Sequence, residues 1–191
     1  MSNKFAHSLE RFIQVATKLD LKEIEKLTTA LRNLQGRLFI IGVGGSAANA
    51  SHAVNDFRKI CNIEAYAPTD NVAELTAITN DIGWEYVFVN WLKTSKLNNK
   101  DMILVFSVGG GTETASRNIT LAVEYAKEMS AIIAGIVGPD GGATKQHADI
   151  CINVPADGVD KTPFTEAMQV LIWHLIAMEF SIDVKVAESQ I

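Results

Sequence analysis

Apolar positions along the chain follow two patterns. Phe5, Leu9, Phe12, Ile13 and Ala16, then Leu21, Ile24, Leu27, Leu31 and Leu34, recur at intervals of three to five, which predicts a pair of helices. Asp20 lies between them as an N-cap, with Glu23 three residues on as its capping-box partner. Short runs that are apolar throughout follow at 38–42, 102–106 and 131–137, with a mostly apolar one at 149–154 and a weaker one at 64–67. These predict five strands. Helical spacing returns at 47–60, 83–97, 114–129 and 166–180, the last introduced by Thr162-Pro163. A helical turn is expected at 70–77, a polar break at Thr79, Asn80 and Asp81, and a short helix after Gly142. Strands without apolar/polar alternation are buried on both faces, and strands that alternate with helices pair in parallel. The expected fold is therefore α/β: a three-layer αβα sandwich on a five-stranded parallel sheet, flavodoxin-like or Rossmann-like, with an N-terminal α-hairpin.

Two strand exits share one design. The first strand runs into Gly42, Gly44, Gly45 and Ser46, and the third into Ser107-Val-Gly-Gly-Gly-Thr112. Glycines permit tight turns and close approach of a ligand, and the helix that follows offers free N–H groups to an anion. In such a sheet the ligand lies beyond the carboxyl ends of the strands, where strand order reverses. Neither loop is a dinucleotide fingerprint or a P-loop, and no acidic residue is placed to read a ribose. A nucleotide cofactor is not expected. Hydroxyls and glycines without a lysine suit a phosphate monoester, held by Ser107 and Thr112.

His52 and Asp56 are four apart on the helix after the first loop and share a face. Glu166 and His174 lie on the last helix, where His174 sits inside an apolar run and reads either as a core histidine or as a site group. Two histidines and two carboxylates can ligate Zn²⁺ or serve as acid and base. Eight residues separate Glu166 from His174, about 12 Å along a helix axis. One ion is hard to chelate with both from a single chain, so an oligomer with shared active sites is expected. The last helix, apolar on nearly every side, fits burial between subunits.

With 191 residues, the chain is sized for one domain, 1–191, divided into a helical hairpin (1–35), an αβα core (36–182) and a C-terminal tail (183–191). A formal net charge of -5 and no basic stripe argue against a nucleic-acid surface. The first residues lack the apolar core of a signal peptide, and apolar stretches stop short of a membrane span. Cys61 and Cys151 have no metal or redox spacing and read as buried free thiols, consistent with a cytoplasmic protein.

The run Gly42-Val-Gly-Gly-Ser-Ala-Ala-Asn-Ala-Ser-His52 resembles the signature of the sedoheptulose 7-phosphate isomerases (phosphoheptose isomerases), in the sugar isomerase (SIS) domain superfamily. Asn80-Asp81, the loop from Ser107 to Thr112, and His174 resemble further motifs of that family. The resemblance implies an aldose–ketose isomerase of sedoheptulose 7-phosphate in heptose and glycoconjugate biosynthesis, with one Zn²⁺ per site in a homotetramer. Gly44, Gly45 and Ser46 would line the sugar-phosphate site, Ser107, Gly109 and Thr112 hold the phosphate, and Asn80 and Asp81 bind hydroxyls. His52, Asp56, Glu166 and His174 would form the metal set, with Asp56 or Glu166 as base and His174 as proton donor. Val43, Asp56, Gly109 and Glu166 depart from the family pattern, which has Asn, Glu, Ser and Gln there. A second register of the last helix would place Trp173 at the histidine position. The alternative is a non-catalytic sugar-phosphate-binding or scaffolding SIS protein.

Overall fold

The structure, a computed structural model, describes residues 3–188, with side chains described through residue 182. Helices α1 (Lys4–Ala16) and α2 (Leu21–Arg32) form the N-terminal pair. The core then runs β1 (Leu38–Gly42), α3 (Gly45–Lys59), β2 (Ala65–Tyr66), α4 (Val72–Asp81), α5 (Val87–Thr94) and β3 (Met102–Ser107). It continues with α6 (Arg117–Glu128), β4 (Ile132–Val137), α7 (Gly142–His147), β5 (Ile150–Asn153) and α8 (Lys161–Glu188). All pairings in the sheet are parallel, in the order β2-β1-β3-β4-β5. This is the flavodoxin-like order, and strand order reverses between β1 and β3. Both glycine loops therefore leave the sheet at the reversal.

The uniformly apolar strands divide their side chains between two cores, because successive residues point to opposite faces. Leu38, Ile40, Leu104, Phe106 and Ile136 pack with α2, α3 and α8, whereas Phe39, Ile41, Ile103, Val105 and Ile133 pack with α5 and α6. Val43 packs against the second core.

Several local expectations change. Asp20 caps α2 by accepting from the Lys22 N–H at 3.0 Å, but Glu23 does not close a capping box. Its carboxylate instead accepts from the Cys151 N–H at 3.4 Å on β5 and pairs with Lys26. The polar break at 79–81 is the last turn of α4. There the Thr76 and Thr79 hydroxyls bond carbonyls one turn back, so these polar residues serve the helix rather than end it. The helix expected over 83–97 is shorter. Gly83, at φ 131°, starts a 3-10 turn, and α5 stops at Thr94. Helix α8 starts earlier, with Pro163 in its first turn where no N–H is required, and continues through Glu188 into the expected tail. Residues 189–191 of that tail lie outside the described residues.

Helix α8 is not covered all round by its own chain. Met168, Ile172, Trp173 and Ile176 are buried, but Leu171, Leu175, Met178 and Ile182 are exposed. The exposed set recurs every three or four residues and forms one stripe. Helix α1 leaves a comparable stripe, with Phe5 83% exposed beside Leu9 and Ile13. Its inner side is held by Phe12 edge-on to Phe164 at 5.2 Å and by Arg11 forking onto Asp160. Among the described residues no helix is long and apolar enough to cross a membrane.

At the opposite end of the sheet from the glycine loops, buried Asp101 joins the starts of β1 and β3. It accepts from the Arg37 N–H, Nε and Nη2 and from the Asn98 N–H and Nδ2. Burial pushes its pKa up, but the Arg37 hydrogen bonds, the Asn98 N–H and the Arg37 charge outweigh burial and leave it below the usual carboxylate value. A depressed folded pKa contributes stability above the unfolded value of about 3.9 and loses it as pH falls through the folded one. Asp101→Asn should cost about 3–5 kcal/mol at neutral pH, with the difference from wild type shrinking in acid. Urea unfolding at neutral pH and at about pH 3 measures both.

Candidate active site

The first strand exit is shaped by what glycine permits. Gly44 adopts φ 64° and caps α3 without a side chain. A Cβ on Gly45 would stand 2.6 Å from the Glu166 carboxylate, which fills the space beside the first turn of α3. An anion there is favoured by the helix dipole. Among the described residues no side chain or N–H donates to this carboxylate within hydrogen-bond distance. Ser46 follows, buried under the turn.

The second exit is held from behind. The Gly110 and Gly111 carbonyls accept from the N–H groups of Thr144 at 2.9 Å and Ala143 at 2.8 Å, and the Thr144 hydroxyl bonds Gly110 at 2.7 Å. The two backbones meet so closely that a Cβ on Gly110, at φ 72°, would overlap the Gly141 carbonyl oxygen. A trans peptide points N–H opposite to C=O, so the Gly111 N–H faces away from α7. Ser107, buried, accepts from the Gly110 N–H at 3.0 Å. Thr112 is exposed and closes a small turn with Ala115 through both its hydroxyl and its N–H. Gly109 is exposed, with open space where a side chain would stand.

Between α3 and α8 lies a cluster. His52 Nε2 is 3.6 Å from Asp56 Oδ2, and His174 Nε2 is 3.4 Å from the same oxygen. One ligand atom from each of the three lies within 4.8 Å of the others. His174 Nδ1 is 2.8 Å from the Val170 carbonyl, which can only accept, so Nδ1 donates and Nε2 is the nitrogen turned to the cluster. Asp56 is 7% exposed; Oδ1 accepts from Asn55 at 3.0 Å and Oδ2 from the Trp173 indole N–H at 3.2 Å. Zinc bonds of about 2.0–2.1 Å in a tetrahedron place neighbouring donors about 3.4 Å apart. The two measured separations and the N, O, N donor set fit such an ion.

The chain thus brings His52, Asp56 and His174 together, and Trp173 reaches the same Asp56 oxygen as His174. Glu166 stands apart from the three, at Gly45. Asn80 and Asp81 are exposed at the end of α4, where Asn80 bonds Asp81 at 2.8 Å, and they touch none of the cluster residues by hydrogen bond or ion pair. The sequence reading missed Trp173 and also Asn49, whose side-chain amide bonds the Glu166 carbonyl and the Gln169 side chain at 3.0 and 2.9 Å. An indole within an apolar run and an asparagine between alanines carry no sequence signal of these contacts. Cys61 is half-buried; burial and then the Asp56 charge push its thiol up to about 11, which keeps it protonated at neutral pH.

Strand order, paired glycine loops and the cluster between α3 and α8 define a sugar-isomerase α/β domain. No family model matches the sequence. The chain is 30% identical over 174 residues to a phosphoheptose isomerase of Helicobacter pylori strain P12, covering 88% of this chain and 86% of that one. It is 35% identical over 152 residues to the phosphoheptose isomerase of Nitratiruptor, covering 77% and 76%. The structure of phosphoheptose isomerase GmhA from Neisseria gonorrhoeae superposes with a TM-score of 0.80 at 26% identity, covering 93% of this chain and 95% of that one. The chain belongs to the phosphoheptose isomerase family.

His52 is more than half exposed on its side chain, so its removal should leave the fold intact. His52→Gln should melt within a few degrees of wild type yet retain little zinc after dialysis, as metal analysis beside thermal unfolding will show. A core histidine would give the reverse.

Proposed function

We propose that this protein is an aldose–ketose isomerase that converts sedoheptulose 7-phosphate to a manno-heptose 7-phosphate. The observation that carries this reading is the convergence of His52, Asp56 and His174 between α3, the helix that follows the first glycine loop, and α8, in a phosphoheptose isomerase family chain.

The second loop receives the phosphate. Ser107 and the Gly109 and Gly111 N–H groups offer neutral donors, the carbonyls of Gly110 and Gly111 are turned onto α7, and the Thr112 hydroxyl joins them by exchanging its bond to Ala115 for the phosphate. Gly44, Gly45 and Ser46 line the sugar chain at the other loop, and Asn80 and Asp81 bind hydroxyls where a sugar extends over α4. His52, Asp56 and His174 hold the metal, read as Zn²⁺. When bound, it supplies Lewis acidity at the sugar's carbonyl oxygen.

Glu166 is the general base. Asp56 is committed to the cluster, with Oδ1 accepting from Asn55 and Oδ2 accepting from Trp173 and facing both imidazoles, whereas no donor among the described residues holds the Glu166 carboxylate. The Glu166 carboxylate takes the proton from the carbon next to the carbonyl, and the C–H electron pair forms the enediolate double bond. The proton then returns to the adjacent carbon, and a hydroxyl proton moves between the two oxygens, which completes the isomerisation. His174 donates from Nδ1 to the Val170 carbonyl, which turns Nε2 toward the cluster as a ligand.

The exposed stripes on α1 and α8 support a homo-oligomer, read as the tetramer of the sequence expectation. His52, Asp56 and His174 meet within one chain, so shared sites would share the sugar pocket rather than the cluster.

Glu166→Gln should lower kcat for sedoheptulose 7-phosphate roughly 10²- to 10⁴-fold, the usual contribution of a general base, with zinc content unchanged. Activity within a few-fold of wild type would remove Glu166 from the mechanism. Light scattering should find a tetramer at micromolar concentration, and an active monomer would remove the oligomer from this reading.

A further inference from the structure

Trp173 has no part in the chemistry above, yet it touches every group of the cluster. Its ring is fully buried, stacked on Phe106 with centroids 5.7 Å apart and planes 17° from parallel. Phe106 directly precedes Ser107, so the indole rests on the strand that carries the second glycine loop. The His52 ring stands edge-on to the indole at 5.4 Å, and the His174 ring lies 5.0 Å from it. The indole N–H, a donor only, reaches Asp56 Oδ2 at 3.2 Å. That oxygen is the one both imidazole Nε2 atoms face.

A buried indole N–H needs an acceptor, and a carboxylate on a short side chain has two rotational positions that exchange its oxygens. Asn55 holds Oδ1 and Trp173 holds Oδ2, so the carboxylate is fixed from both sides. We infer that Trp173 is a positioning residue for the metal site: its N–H pins the Asp56 oxygen that joins the two histidines, and its ring sets where the His52 imidazole stands. This rests on the reading of His52, Asp56 and His174 as metal ligands. Trp173 touches neither sugar nor ion; it acts through Asp56 and His52. Outer-shell partners of metal ligands typically change metal affinity by roughly 10- to 100-fold when removed.

The test uses Co²⁺ as probe, followed by its visible absorption in the full-length protein. Trp173→Phe keeps an aromatic ring on Phe106 but has no donor. A second variant carries a benzothienyl side chain at 173, in which sulfur replaces the N–H within the same two-ring outline, so the core stays filled if the phenylalanine variant folds poorly. Both should bind Co²⁺ roughly 10- to 100-fold more weakly than wild type, with an altered absorption band. Adding Trp173→Phe to Asp56→Ala should weaken binding no further than Asp56→Ala alone, because no side-chain oxygen is left for the indole to hold. Unchanged Co²⁺ affinity and spectrum, with only a lower melting temperature, would reduce the indole to packing and overturn this inference while leaving the metal site standing. Wild-type protein that takes up no Co²⁺ would overturn the metal site and this role with it.

Discussion

Everything at the site depends on α8 lying across α3. The crossing is locked by a small polar cluster in an otherwise apolar seam. Asn49 on α3 donates to the Glu166 carbonyl and to the Gln169 side chain, and Gln169 is fully buried. Buried amides are costly unless paired, so this contact is directional where apolar packing is not. Apolar side chains alone would tolerate a slip of α8 along α3. The Asn49–Gln169 pairing sets the register that places Glu166 at Gly45 and brings Trp173 and His174 to the same oxygen of Asp56.

The sheet supplies the second requirement. Because β1 and β3 are adjacent and their connections leave in opposite directions, the two glycine loops open side by side at one end. The loops differ in what shapes them. At the first, Gly44 stands in open space at positive φ while Gly42 and Gly45 press on the Ser46 backbone and the Glu166 carboxylate; the second is wedged between backbone segments, its carbonyls drawn to α7. A glycine chosen for conformation and a glycine chosen for contact therefore serve one pocket.

Much of this was legible in the chain. Apolar runs located all five strands, and their lack of alternation showed burial on both faces. The four-residue spacing of His52 and Asp56 placed them on one face of α3. What was not legible arises between distant segments. Asn80 and Asp81 read as a break because polar side chains were taken to compete with the helix, whereas the α4 backbone closes over them. Glu23 read as a capping partner, but a neighbouring strand offers its N–H instead. At positions 173 and 174 two registers competed for one functional place. Both residues face Asp56, one through an indole N–H from the core and one through Nε2 from the site side. Helical spacing rotates consecutive residues by about 100°, and only the position of α3 shows that both directions reach one oxygen.

The arrangement of the cluster also bears on when the protein becomes competent. Two of its donors lie in α3, and the third lies more than a hundred residues later, on the final described helix. Domains are made from the N-terminus onward at roughly 5–20 residues per second. On the ribosome a nascent chain can pair β1 with β3 and close both glycine loops while α3 still presents His52 and Asp56 to solvent. Until α8 emerges, Ala50, Ala53 and Phe57 on that face lack their cover. Assembly of the three donors and completion of this core layer therefore arrive in the same step, so a chain cut short before α8 would have neither.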